Sequence, residues 1–516
     1  MSVIQQIYCT HCTHGSSALE RREGELAHRM LGYSARAGSL EAQELRKCYR
    51  QIERYAYYYL PRDTPGEEKL RLIAASAPRR LIFLPSTSGL QVAGQVCYRQ
   101  TDTEGRPGSY FAHVLFQNEQ DGPGRWSPAD CLKLWNARGW VDEDSTVIPF
   151  VLRSLYSLSE MYQNVRPAID DGVLRSFLTT PAGGSFDDPA GVIPPRYRTA
   201  PPKQRISLLT DAFRGLLEID VQQRESLLVV VEPSLAALLF YGIVRLLPAG
   251  PLGDRLSFST YEPNADRLGT TLAATIFHDP LHSDVRPDAY RSRGFVLNTF
   301  LDRRTEFRRP QAAYAATMLQ RLVGEGWDAV DGMLANLEAV GAKTTDDLDA
   351  LAAVGRIVPA LFDPRQPLPG DGWRRSPMAI RYLRRILGRR LAELADPRAL
   401  ESLVGRPQHL LVLELIAAEP DAAGTRAAAE YLLRQLPAER VGDLLRLEDI
   451  SPEAKADVLA RCVTAQGVLP PGCDQLWQVD ATAGLSNSAE GTAAQANTGV
   501  AAGANTRRSA VSPATA

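Results

Sequence analysis

The sequence predicts a multidomain mixed α and β protein: an α+β N-terminal domain with a mainly antiparallel sheet (1–180), a linker (181–204), an α/β middle domain (205–302), an all-α C-terminal region (303–478) and a disordered tail (479–516). Three observations carry this reading. Two runs rich in branched and aromatic residues, 91–100 and 109–117, flank the turn string Thr103-Glu104-Gly105-Arg106-Pro107-Gly108, as in a hairpin. The continuous apolar run 227–231, followed by Pro233 and a helical pattern, has the form of a strand buried on both faces leading into a crossover helix. From Pro310 onward alanine, leucine and arginine recur at helical spacing. The 516 residues exceed what one core holds.

In chain order, residues 3–10 and 31–37 are strand candidates. Ser39 is placed to cap a helix whose apolar face is Leu45, Tyr49, Ile52, Ala56 and Tyr59, and Pro61 ends it. Leu81, Phe83 and 92–98 favour extended backbone, and the second hairpin arm sets His113 among apolar neighbours. Residues 127–135 read as a short helix, Ser127 capping and Pro128 in its first turn. Proline and glycine throughout 179–203 exclude a long element. Next come an amphipathic helix (206–218), the strand 227–231, a helix from Pro233 to Leu247 and an extended segment (255–260), a βαβ order with further strands at 271–277 and 295–300. The helical region breaks near Gly341, 364–372, Pro397, Pro407, Pro420 and Pro437 into helix pairs of solenoid-like length, without a nameable repeat. The tail has almost no large apolar residues and cannot offset its ordering entropy.

Composition narrows the function classes. Hydrophobic residues make up 44% and charged residues 23%, and the net charge of -2 argues against a molecule-wide electrostatic grip on nucleic acid. The N-terminus shows no basic leader before an apolar core. The most apolar segment, 235–247, is too short to span a bilayer and contains Arg245. Seven scattered cysteines fit reduced thiols in the cytoplasm better than a disulfide framework.

Four clusters carry candidate chemistry. Cys9-Thr10-His11-Cys12-Thr13-His14 contains a Cys-x-x-Cys, half of a zinc site, but no second half exists, so no metal is expected. Cys9 or Cys12 as nucleophile, His113 as base and Asp102 as orienting group would make a thiol-dependent enzyme; the plainer reading of His113 is a hydrogen-bonded core residue. In the middle domain Glu232, Ser259, Thr260, Tyr261 and Glu262 stand at the carboxyl ends of strands, where α/β sheets bind ligands, though Pro233-Ser234-Leu235 replaces a glycine-rich fingerprint. On a helix begun by Ser376 and Pro377, Arg381, Arg384, Arg385 and Arg389 line one side opposite Ile380, Leu383, Leu387, Leu391 and Leu394. This is either a solvated face or a grip for an acidic partner or, less expected, nucleic acid. Two further strings are set aside: Pro280 breaks the spacing of His278-Asp279-Pro280-Leu281-His282, and Gly341-Ala342-Lys343-Thr344 lacks the glycine pattern of a phosphate loop. The chain is therefore not expected to hydrolyse nucleotides, and no cofactor is expected.

Several strings together resemble the first type of bacterial GTPase-associated proteins of predicted conflict systems, with N-terminal and middle family domains. They are Cys12-Thr13-His14-Gly15, Gly32-Tyr33-Ser34-Ala35-Arg36-Ala37, the run 49–63, the string from Gly108 to Leu115, Leu246-Leu247-Pro248 and the string from Leu256 to Tyr261. The resemblance covers roughly residues 1–300. It implies a chain working beside a separate GTPase and other conflict-system proteins, and it carries over no catalytic motif. The leading expectation is a cytoplasmic, non-enzymatic adaptor or regulator. The alternatives are the thiol-dependent enzyme and binding through the arginine-rich helix.

Overall fold

A computed structural model describes residues 3–12, 32–40, 42–53, 79–87, 89–101, 107–118, 125–142, 151–219, 225–250, 253–262, 269–276, 294–308, 313–342, 344–362 and 376–393, with single positions at 412, 415, 431, 432 and 460. The elements in chain order are β1 (Gln5–Cys12), β2 (Gly32–Gly38), α1 (Ala42–Ile52), β3 (Arg80–Thr87), β4 (Leu90–Thr101), β5 (Pro107–Asn118), α2 (Pro128–Leu132), α3 (Asp171–Thr179), α4 (Pro195–Arg198), α5 (Pro202–Glu218), β6 (Ser226–Val230), α6 (Pro233–Arg245), β7 (Phe258–Ser259), β8 (Leu272–Thr275), β9 (Gly294–Asn298), β10 (Arg303–Arg304), α7 (Tyr314–Glu325), α8 (Trp327–Val340), α9 (Thr345–Phe362) and α10 (Pro377–Glu393). The chain divides into two compact units. One comprises Met1–Val354 with Asp371–Tyr382; the other comprises Gly355–Gly370 with Leu383–Ala516. In the second unit the described stretches, 355–362 and 383–393, are helical.

Among the described residues the strands of the first unit form one sheet of ten, in the order β10-β9-β6-β8-β7-β3-β4-β5-β1-β2. Its N-terminal half, β3-β4-β5-β1-β2, is antiparallel. The whole sheet is mixed, because β9, β6, β8 and β7 are parallel and β7 then pairs antiparallel with β3. The β6–α6–β7 order matches the expected βαβ pattern, but its two strands are not neighbours. β8 lies between them and pairs with both.

Period-2 alternation sorts the side chains of the antiparallel half. One face carries Ile7, Cys9, Val92, Ala112, Val114 and Phe116, which pack with Leu45, Tyr49 and Ile52 of α1. The opposite face carries Tyr8, Phe111 and His113. Two of its buried amides are paired: Gln117 Nε2 donates to Gln91 Oε1 at 2.8 Å, and the same oxygen accepts the Trp126 amide at 2.9 Å. Ser39 is tied to β1. Its hydroxyl accepts from the Gln6 amide at 2.8 Å and donates to Gln5 Oε1 at 2.7 Å. The continuation of α1 through Ala56, Tyr59 and Pro61, the turn at Asp102, the His278–His282 string and the tail lie outside the described residues.

The segment 181–204 holds no long element, as its prolines dictate, yet it is firmly pinned. Asp188 accepts the amides of Val192 and Ile193 and pairs with Arg198 at 2.5 Å. Arg166 bridges Asp170 and Asp187. Fully buried Arg205 donates to the carbonyls of Tyr197, Ala200 and Thr180.

Candidate functional site

The Cys/His set falls where the strand register puts it. Tyr8 on β1 lies opposite His113 on β5, and Cys9 lies opposite Ala112. Directly paired residues share a face, so Cys9 and His113 project to opposite sides of the sheet. No rotamer brings that thiol to that imidazole. Cys9 is buried, and burial together with the neighbouring Cys12 raises its thiol far above the ordinary range. Cys12 is also buried, four residues beyond Tyr8, its sulfur donating to the Thr10 carbonyl at 3.6 Å. Asp102 lies outside the described residues.

His113 is held as a neutral core residue. Its Nδ1 accepts the Val141 amide at 3.2 Å. Nε2 therefore carries the proton, which it donates to Gln6 Oε1 at 2.8 Å. Tyr8 and Trp140 meet the ring edge-on, with centroids 4.5 and 5.0 Å away. Desolvation lowers its pKa from 6.5 to about 3. Among the described residues no group of three or more His, Cys, Asp or Glu is arranged to hold a metal ion.

The candidate set at the strand ends divides into two places. Ser259, Thr260, Tyr261 and Glu262 belong to the seam between β7 and β3. Arg80, at the start of β3, is buried with 2% of its side chain exposed, as is that of Glu262, and the two are paired at 2.7 Å. Arg80 Nε donates to Ser259 Oγ at 3.0 Å. The Leu81 amide donates to Thr260 Oγ1, and the Thr260 amide returns a bond to the Leu81 carbonyl. Phe83 packs on Phe258 at 5.7 Å, and buried Tyr261 joins the core beside Tyr49. These side chains hold the two halves of the sheet together.

Glu232 stands apart, beyond the carboxyl end of β6. It pairs with Arg196 of α4 at 2.6 Å. Sequence reading missed Arg80 and Arg196, because their acidic partners lie 182 and 36 residues away. A lone arginine before a strand, or one in a proline-rich loop, carries no local signal of an ion pair.

On α10, Arg381 and Arg385 are exposed and Arg384 is half-buried, while Ala379, Tyr382, Leu383 and Leu387 are buried. The backbone of Arg389 is helical, and its side chain lies outside the described residues. Gly341 and Thr344, from the string that lacks a phosphate-loop pattern, punctuate helices. Gly341, at φ +74°, caps α8, and Thr344 Oγ1 accepts the Asp347 amide at the start of α9.

The antiparallel half thus encloses a neutral histidine and packed thiols. A family comparison places that stretch. Residues 3–151 match the family of GTPase-associated protein 1, N-terminal domain type 2. The match spans β1 to β5 and α2, and it ends where Val151 bridges to Gly38 of β2. No curated protein and no solved structure matches the chain. Similarity to a GTPase-associated domain points to a role alongside a GTPase. Among the described residues no helix is long and apolar enough to cross a membrane.

Proposed function

We propose that this chain is a non-enzymatic adaptor or regulator that acts with a separate GTPase in a bacterial conflict or defence system in the cytoplasm. The family match over residues 3–151 is the observation that carries this reading. The placement of the polar side chains supports it. Cys9 and His113 occupy opposite faces, and Ser259, Thr260 and Glu262 are committed to the β3–β7 seam. The thiol-dependent alternative loses its Cys9–His113 couple to that geometry, and Cys12 is buried. The adaptor meets its partners through its surfaces, and it needs no cofactor of its own.

The arginine helix supplies a second, compatible reading: an acidic partner surface docks on Arg381, Arg384, Arg385 and Arg389. The exposure of Arg381 and Arg385 favours it. Exposed guanidiniums grip carboxylates bidentately, and such contacts weaken with salt.

The test is affinity capture of the tagged full chain from its native host, with a non-hydrolysable GTP analogue or with GDP, and identification of what elutes. A GTPase enriched in one nucleotide state is the expected result. No GTPase in either eluate, or GTP turnover by the purified chain alone, contradicts the proposal.

A further inference from the structure

β6 and β9 are parallel neighbours, so their carboxyl ends lie side by side, where an open sheet leaves a crevice. β6 is followed in the chain by β7 and β8 on one side of it, and by β9 on the other. Open parallel sheets bind ligands beyond the carboxyl ends of strands at such a reversal. Here the place is occupied by Arg196. Its Nη2 donates to Glu232 Oε2 at 2.6 Å and to Thr299 Oγ1 at 2.8 Å, and its Nη1 donates to the Thr299 carbonyl at 3.3 Å. The Tyr197 and Phe300 rings lie 4.6 and 4.2 Å from the guanidinium carbon. Thr299 is itself fixed, since its hydroxyl donates to the Val230 carbonyl at 2.9 Å. The guanidinium is therefore oriented before any ligand arrives.

One donor of this arginine is unmet: Nε is buried and has no hydrogen-bond partner among the described residues. Nε and Nη2 share the edge of the guanidinium plane that takes an oxyanion side-on with two parallel bonds. Glu232 uses only half of that edge. Its carboxylate caps no amide of α6, and its side chain is 30% exposed. The helix does not hold it in place.

We propose that this crevice binds an oxyanion, the carboxylate or phosphate group of a small ligand, on the Nε/Nη2 edge of Arg196, and that Glu232 is a built-in competitor which swings out when the ligand enters. The site is independent of the GTPase reading. It adds a ligand input to the middle part of the chain, outside the residues 3–151 that match the family.

The experiment is thermal unfolding of the full chain titrated with orthophosphate or with succinate, each against chloride at matched ionic strength. At least one of the two anions raises the midpoint beyond chloride, and which one does so identifies the group recognised. Glu232→Gln removes the competitor and tightens the responding anion by roughly fivefold, the scale of a part-exposed ion pair. Glu232→Asp, which shortens the carboxylate, shifts it in the same direction. Arg196→Lys keeps the charge without the side-on edge and loses the response. Each variant is compared with its own anion-free midpoint, so a change in basal stability does not blur the result. No anion effect beyond chloride, an unchanged response in Arg196→Lys, or weaker binding in both Glu232 variants overturns the proposal.

Discussion

His113 shows how one side chain ties sequence to pH dependence. In the unfolded chain its imidazole titrates near 6.5, and in the fold burial lowers that to about 3. Between those values the unfolded state binds more protons than the native state, so stability rises with pH across that window. The neutral ring's contribution is complete above about pH 6.5 and is lost as pH falls toward about 3, by at most about 1.4 kcal/mol per pH unit. Urea unfolding of wild type and His113→Gln at pH 7 and pH 5 checks this: the variant is less stable at pH 7 and loses less on acidification. The thiols give a second readout. Cys9, Cys12 and Cys131 are buried, so native protein resists iodoacetamide at all three while urea-unfolded protein is labelled, as mass spectrometry will show. The plainer reading of His113 was legible in the sequence, because apolar neighbours on a strand foretell a core residue. Its separation from Cys9 was not legible, because that depends on the register of β1 against β5, more than a hundred residues later. A one-residue slip would have put both groups on one face.

At the scale of elements, the β3–β7 seam is short in ladder and rich in polar pins. Only Ile82↔Ser259 and Phe83↔Phe258 pair as strand residues. The Arg80–Glu262 bridge beside them is fully enclosed. Removing one member leaves a buried charge without its partner, at a cost of about 3–5 kcal/mol, whereas replacing both with apolar residues recovers most of the loss. Arg80→Met, Glu262→Met and the double variant, compared by chemical denaturation, should follow that pattern. β9 depends on a glycine for a different reason. Gly294 sits at φ +138°, and a Cβ there would lie 2.0 Å from the Ser226 carbonyl oxygen. Gly294→Ala forces β9 away from β6 and lowers the unfolding midpoint more than an alanine at Gly332, where the space is open. These strands and helices were legible as periodic or continuous apolar runs: 91–100, 109–117, 206–218 and 227–231 all emerged near their observed places. β7, only two residues long, carries no period of its own, and the neighbours it acquires were hidden with it.

The whole molecule joins what sequence reading kept apart. The stretch that resembles a GTPase-associated N-terminal domain ends at residue 151, yet the sheet it belongs to continues through β7 into strands lying between residues 226 and 304. Such continuity is set by tertiary pairing, which composition and spacing do not encode locally, whereas the family resemblance was legible because it rests on strings of neighbouring residues. The helix that carries Arg381 and Arg385, both exposed, was legible from helical spacing. Reversing Arg381, Arg384 and Arg385 to glutamate should weaken capture of an acidic partner and flatten its salt dependence, read by pull-down between low and high ionic strength. The central claim is that the chain acts through contact with a separate GTPase. Its most direct test is calorimetric titration of the purified full chain with the GTPase captured from its host, loaded with a GTP analogue or with GDP. The account predicts binding whose affinity differs by about fivefold or more between the two nucleotide states, the scale of a coupled switch. Equal affinities in the two states, or no binding in either, would contradict it.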